Sequence, residues 1–153
     1  MSEPIRPEQL HGSWLLERFV IRFADGRPPV QPFGERARGL LMYTPDGRMS
    51  AILSRADRPP LAASRLETSA KAPAEEKAGA FDSYLSYGGR WTIEGDEVVH
   101  AVEYALTPNL VGRDNRRRAD FRPAPDGDRV VLSYDVPARS GVTRHYSLTW
   151  RRP

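Results

Sequence analysis

Alternation of apolar and polar residues, broken at short intervals by turn formers, constrains this chain more than any other feature. In Gly12–Phe23 one alternating set is Ser13, Leu15, Glu17, Phe19, Ile21 and Phe23; the other is Trp14, Leu16, Arg18, Val20 and Arg22. A period of two, rich in aromatic and β-branched residues, predicts a long strand. Asp25-Gly26 and Pro28, Pro29 and Pro32 end it, because proline has no N–H to give a ladder. Arg38–Tyr43 and Arg48–Leu53 read as hairpin partners around Thr44-Pro45-Asp46-Gly47. There proline presets the first turn position and Asp-Gly tolerates positive φ.

Residues 56–69 have no clean period and read as a loop. Pro73–Tyr87 is predicted to be a helix. Pro73 suits a first turn, Glu75 and Glu76 favour its positive end, and Ala80, Phe81, Tyr84, Leu85 and Tyr87 recur near helical spacing. Gly88-Gly89 would stop it. Further strands are predicted over Arg90–Ile93, Glu97–Leu106, Gly112–Phe121, Arg129–Val136 and Val142–Trp150, with turns between them. The sum is a mainly β chain of eight strands with one helix inserted after the third. Short links favour antiparallel neighbours, and eight strands can close into an up-and-down barrel that holds one small ligand. A β-sandwich of the same strands is the structural alternative.

The 153 residues suit a single domain, with residues 1–10 as an N-terminal extension. The chain has no cysteine, which excludes disulfides, thiolate catalysis and cysteine-ligated zinc. No run of about 18 apolar residues is present to span a membrane. Taken as the full product, the polar stretch Met1–Leu10 lacks a secretory signal, so the expected location is the cytoplasm. The net charge is +3, and Lys71 and Lys77 are the only lysines. The densest basic run, Arg113-Asp114-Asn115-Arg116-Arg117-Arg118, is short and has no interleaved aromatics. It reads as a solvated strand face, and no nucleic-acid partner is expected. His11, His100 and His145 have no metal-ligand spacing, no glycine-rich phosphate loop precedes a helix, and Ser54 and Ser64 lack a nucleophile elbow. No metal or cofactor is therefore expected.

Gly12-Ser13-Trp14 at the start of the first strand, with Trp150-Arg151-Arg152 at the end of the chain, resembles the lipocalin signature. In that superfamily a tryptophan closes one end of the barrel beneath an arginine from near the C-terminal strand. A closer resemblance, to the bacterial and fungal lipocalin-like domain family, rests on ordered blocks. These are Pro32-Phe33-Gly34, Gly39–Ser50, Tyr84–Trp91, Val99-His100, Asn109–Gly112 and Leu148–Arg151. The resemblance implies the barrel. It does not imply one reaction, since neighbouring families include small-molecule carriers and biosynthetic cyclases.

His100 stands out among the polar residues because it alternates with Val98, Val102, Tyr104 and Leu106. If that face is the lumen, its imidazole can bond a ligand oxygen or move a proton; the plainer role is a bond to a neighbouring strand. Arg117 matches the family's arginine after the N-x-x-G block, and alternation puts it with Asn115, opposite Arg116 and Arg118. One guanidinium inside would select a carboxylate, enolate or phenolate. His100 and Arg117 are thus the catalytic candidates. Tyr43, Met49, Tyr84, Tyr87, Trp91, Tyr104 and Tyr134 join them as candidate ligand-binding residues. The expected function is binding of a small hydrophobic or aromatic, oxygen-bearing metabolite in the lumen. The alternative is a cofactor-independent isomerase or cyclase acting on a polyketide-like or terpenoid substrate. The oligomeric state is left open, a homodimer included.

Overall fold

A computed structural model describes residues 3–62 and 71–153. Ser64 and much of the 56–69 loop lie outside the described residues. A one-turn helix, α1 (Pro7–Leu10), leads into β1 (Gly12–Phe23), β2 (Arg38–Tyr43) and β3 (Arg48–Ser54). A second helix, α2 (Ala74–Asp82), is followed by β4 (Tyr84–Glu94), β5 (Glu97–Ala105), β6 (Asp114–Arg122), β7 (Arg129–Pro137) and β8 (Thr143–Arg151). Each strand pairs with the next in antiparallel fashion, and β8 returns to β1, so the eight strands form a closed up-and-down barrel. Closure leaves no unpaired sheet edge. Among the described residues no helix is long and apolar enough to cross a membrane.

Local chemistry accounts for the hairpin between β2 and β3. Gly47 adopts φ +89°, and its N–H donates to the Thr44 carbonyl at 3.0 Å. The turn residues therefore set a register in which Tyr43 faces Met49.

Two bulges interrupt the alternation seen in sequence. One falls between Leu16 and Arg18, the other opposite the Gly88–Gly89 step, where Gly88 pairs with Tyr104 and Gly89 with Val102. Each inserts one residue, Glu17 or Glu103, and exchanges the inner and outer faces beyond it. The inner set of β1 is therefore Trp14 and Leu16, then Phe19, Ile21 and Phe23. In β5 it is Val98, His100 and Val102, while Tyr104 turns outward and is 73% exposed. Gly89 is required at its step: a Cβ there would lie 2.0 Å from the Ala101 carbonyl oxygen.

The expected helix over Pro73–Tyr87 is shorter than its pattern suggested. It ends at Asp82, and none of its residues is buried. Tyr84–Tyr87 instead form the start of β4, paired with Ser54 back to Ala51. The helical spacing of Phe81, Tyr84 and Leu85 yields to the ladder that β3 offers. Gly88-Gly89 accordingly lies within a strand and ends no helix.

The two ends of the barrel differ. One carries α1 and the tight turns after β2, β4 and β6; Leu10 is fully buried there and Ile5 is nearly so. Residues 3–10 thus form a plug that contributes Ile5 and Leu10 to the core. The other end carries the longer links, including α2 and the turn Pro108–Leu110.

Candidate functional site

The lumen opens towards the end with the long links and holds a cavity of about 400 Å³. Its walls are apolar, from Phe19, Leu41, Leu53, Leu85, Leu132 and Leu148. Such a volume and lining suit a small organic molecule. The polar groups gather on one side, because three adjacent strands deliver them in register. β4 supplies Tyr87, β5 supplies His100, and β6 supplies Asn115 and Arg117. His100 pairs across the ladder with Asn115, and Val98 with Arg117, so both polar residues of β6 share the inner face of His100. Arg116 and Arg118 point out and pair with Glu94 and Asp96. The choice left open among the three arginines falls on Arg117.

His100 is only 1% exposed and uses both ring nitrogens. Nε2 lies 2.7 Å from the Tyr43 hydroxyl, and Nδ1 lies 2.9 Å from the Tyr87 hydroxyl. Burial chiefly, and then the charge of Arg117, hold its pKa down at about 3, so the ring is neutral at pH 7. A neutral imidazole has one N–H and one acceptor nitrogen. Tyr43 is 1% exposed, and His100 is its hydrogen-bond partner. If Nε2 carried the proton, the Tyr43 hydroxyl hydrogen would have no acceptor, a cost of about 1–3 kcal/mol. The network therefore assigns the proton to Nδ1: Tyr43 donates to Nε2, and Nδ1–H donates to Tyr87. The Tyr87 hydroxyl also meets the side chains of Asn115 and Arg117, so its hydrogen points away from His100, towards the polar side of the cavity. Burial raises the pKa of Tyr43 well above the usual tyrosine value, and that of Tyr87 as well, so both remain protonated donors.

Arg117 lies over the Tyr134 ring, 3.8 Å from its centroid, and donates to the Arg116 carbonyl at 2.9 Å. Tyr134 stacks in turn on Tyr146, with centroids 4.7 Å apart. No carboxylate of the described residues forms an ion pair with Arg117. A guanidinium has five N–H donors; one is spent on the Arg116 carbonyl and another reaches the Tyr87 hydroxyl, which leaves the rest for a ligand.

The nine candidate residues separate into three groups. Tyr87, His100, Arg117 and Tyr134 line the cavity. Tyr43, Met49 and Trp91 are buried one layer beneath it; Tyr43 buttresses His100, and Trp91 packs on Tyr43 and donates to the Thr44 carbonyl. Tyr84 and Tyr104, expected among the ligand-binding residues of the lumen, lie outside it. Tyr84 faces outward on β4 beneath Arg58, and the bulge at Glu103 turns Tyr104 to solvent. Both border an external depression of about 670 Å³ left by the glycine pair in β4. It is open, and Arg48, which lines it, is paired with Glu103.

Sequence reasoning missed Trp150 and Asn115 as lining residues. Trp150 forms part of the cavity wall at 2% exposure, and its indole N–H has no acceptor among the described residues. Its signal was available, since it alternates with Leu148 and Tyr146 on β8.

The closed end has the features expected of the Gly-x-Trp motif. The guanidinium of Arg152, not Arg151, lies 4.2 Å from the centre of the Trp14 ring. The indole of Trp14 donates to the Leu10 carbonyl at 2.9 Å.

Comparison with known proteins agrees with this geometry. The family described as "Lipocalin-like domain" matches residues 11–153. The 4'-hydroxy-3'-methoxypropiophenone carrier protein ppsC of Aspergillus oryzae (strain ATCC 42149 / RIB 40) is 33% identical over 87 residues, covering 51% of this chain and 75% of that protein.

Proposed function

Because the chain belongs to the lipocalin-like domain family, we propose that its barrel binds a small hydrophobic or aromatic metabolite carrying at least one oxygen. One arrangement supports this reading above all: an apolar cavity with Tyr87, His100 and Arg117 converging on one side. The apolar wall favours an aromatic or aliphatic body, and the polar side fixes its oxygen. The relative named as a carrier of an aryl ketone makes that ligand class the first to test.

The isomerase or cyclase reading uses the same residues and finds less support. A general acid or base works best with a pKa near the working pH. An imidazole held at about 3 and bonded at both nitrogens is poorly placed to move protons at pH 7. His100 is better suited to position Tyr87.

Titration with 4'-hydroxy-3'-methoxypropiophenone, read by tryptophan fluorescence, tests the proposal. Trp150 lines the cavity, so saturable quenching is expected. A flat titration up to about 1 mM, the weak end of specific binding, for this ketone and for neutral aromatic probes alike would contradict it.

A further inference from the structure

Resting on that binding reading, we infer that the polar side of the lumen is an oxyanion site: it selects ligands carrying an ionised oxygen over neutral ones of the same shape. The first observation is Arg117. It faces inward from β6, and no carboxylate of the described residues neutralises it. A guanidinium stays charged at all accessible pH, and one left without a counter-charge in a partly desolvated site attracts an anion strongly.

The second observation is independent of charge. The tautomer set by buried Tyr43 makes His100 donate towards Tyr87, so the Tyr87 hydroxyl hydrogen points to the polar side of the cavity, where Asn115 and a ligand oxygen are its alternative acceptors. The third is Trp150, whose ring lines the cavity and whose buried indole N–H has no acceptor among the described residues. Arg117 and the Tyr87 hydroxyl thus place donors on one side of the cavity, and the Trp150 ring forms part of its wall. The remaining titratable groups of the inner face supply no competing negative charge: Tyr43, Tyr134 and Tyr146 are phenols. Asp114, at the mouth, is exposed and alternates to the face opposite Arg117. An aryl carboxylate, a sulfonate, or an acidic phenol or enol in its ionised form fits this chemistry.

The test uses two fluorescent probes that differ by one group: anilinonaphthalene sulfonate and its neutral, sulfonate-free analogue phenylnaphthylamine. The wild-type protein is expected to bind the sulfonate about tenfold tighter or more. Arg117→Met should remove that preference while changing the affinity for the neutral probe by less than about twofold. Tyr87→Phe should weaken the sulfonate by about threefold to tenfold, which also serves if Arg117→Met folds poorly. Arg18→Gln with Arg22→Gln, on the outer face, should leave both affinities unchanged and so exclude adventitious surface binding. Equal affinity for the two probes in wild type overturns the oxyanion site and leaves lumen binding intact. A preference that survives Arg117→Met and Tyr87→Phe, or that vanishes in the outer-face variant, also overturns it. If neither probe nor the aryl ketone binds, the binding proposal itself fails.

Discussion

Two of the arginines that lie on aromatic rings, Arg152 and Arg117, differ in their surroundings. Arg152, at the closed end, covers Trp14 and spends its donors: it bonds the carbonyls of His11 and Gln9 at 2.8 and 2.5 Å and approaches Asp128 at 3.4 Å. Arg117, in the lumen, covers Tyr134, donates to one neighbouring carbonyl and reaches the Tyr87 hydroxyl. The stacking alone contributes roughly 0.5–2 kcal/mol in either place. What separates the two is saturation. Arg152 ties the N-terminal plug to the final strand and has little left for a ligand, whereas Arg117 retains donors where a cavity begins. The same contact therefore serves structure at one end and recognition at the other.

The comparison breaks most visibly if the closed end proves dispensable. Trp14 is fully buried, packs edge-on against Phe121 at 6.5 Å and anchors Leu10. Trp14→Ala should cost about 3–5 kcal/mol, seen as a fall in Tm of about 10 °C or more. A small fall would show that the plug does not hold this end shut.

Acidification probes the other end. The unfolded chain protonates histidine near 6.5, while the folded barrel holds His100 near about 3. Between those values the unfolded state binds the extra proton, so stability is full above 6.5 and is lost as pH falls towards about 3. The steepest loss is about 1.4 kcal/mol per pH unit. Denaturant melts at several pH values should show this slope, and His100→Gln, which cannot titrate, should flatten it. An unchanged slope would mean that the imidazole is not the buried neutral group described.

Arg152→Met should cost about 1.5–3 kcal/mol, because it leaves buried carbonyls without their charged donor. Arg117→Met should cost about 1 kcal/mol, because it loses the Tyr134 stack but strips no carboxylate of its partner. Equal losses for the two would erase the distinction between them.

Much of this molecule was legible in its sequence, and the failures have particular causes. Strand positions and the Thr44–Gly47 hairpin follow from period and turn chemistry, which are local. The inward turn of His100 was also legible, since it lies between Val98 and Val102, before the bulge. Tyr104 was misplaced because one inserted residue, Glu103, reverses every face beyond it, and charge alone does not reveal a bulge. In β4, Tyr84, Leu85 and Tyr87 satisfy both a helical and a strand period, and only the partner strand β3 decides between them. Arg117 was singled out but not placed, because its orientation depends on its cross-strand partner Val98. The Tyr43–His100–Tyr87 chain joins residues far apart along the chain, so only barrel closure could bring it together.

The three tryptophans allow the central claim to be tested in one spectrum, because each indole N–H reports a different level of the barrel. In a ¹H–¹⁵N titration with 4'-hydroxy-3'-methoxypropiophenone, the Trp150 indole resonance should move most, since its ring lines the cavity and its N–H has no acceptor among the described residues. Trp91, one layer below, should move less, and Trp14, bonded to Leu10 at the closed end, should stay in place. Shifts confined to the outer face around Ser50 and Tyr104, with Trp150 unmoved, would contradict lumen binding.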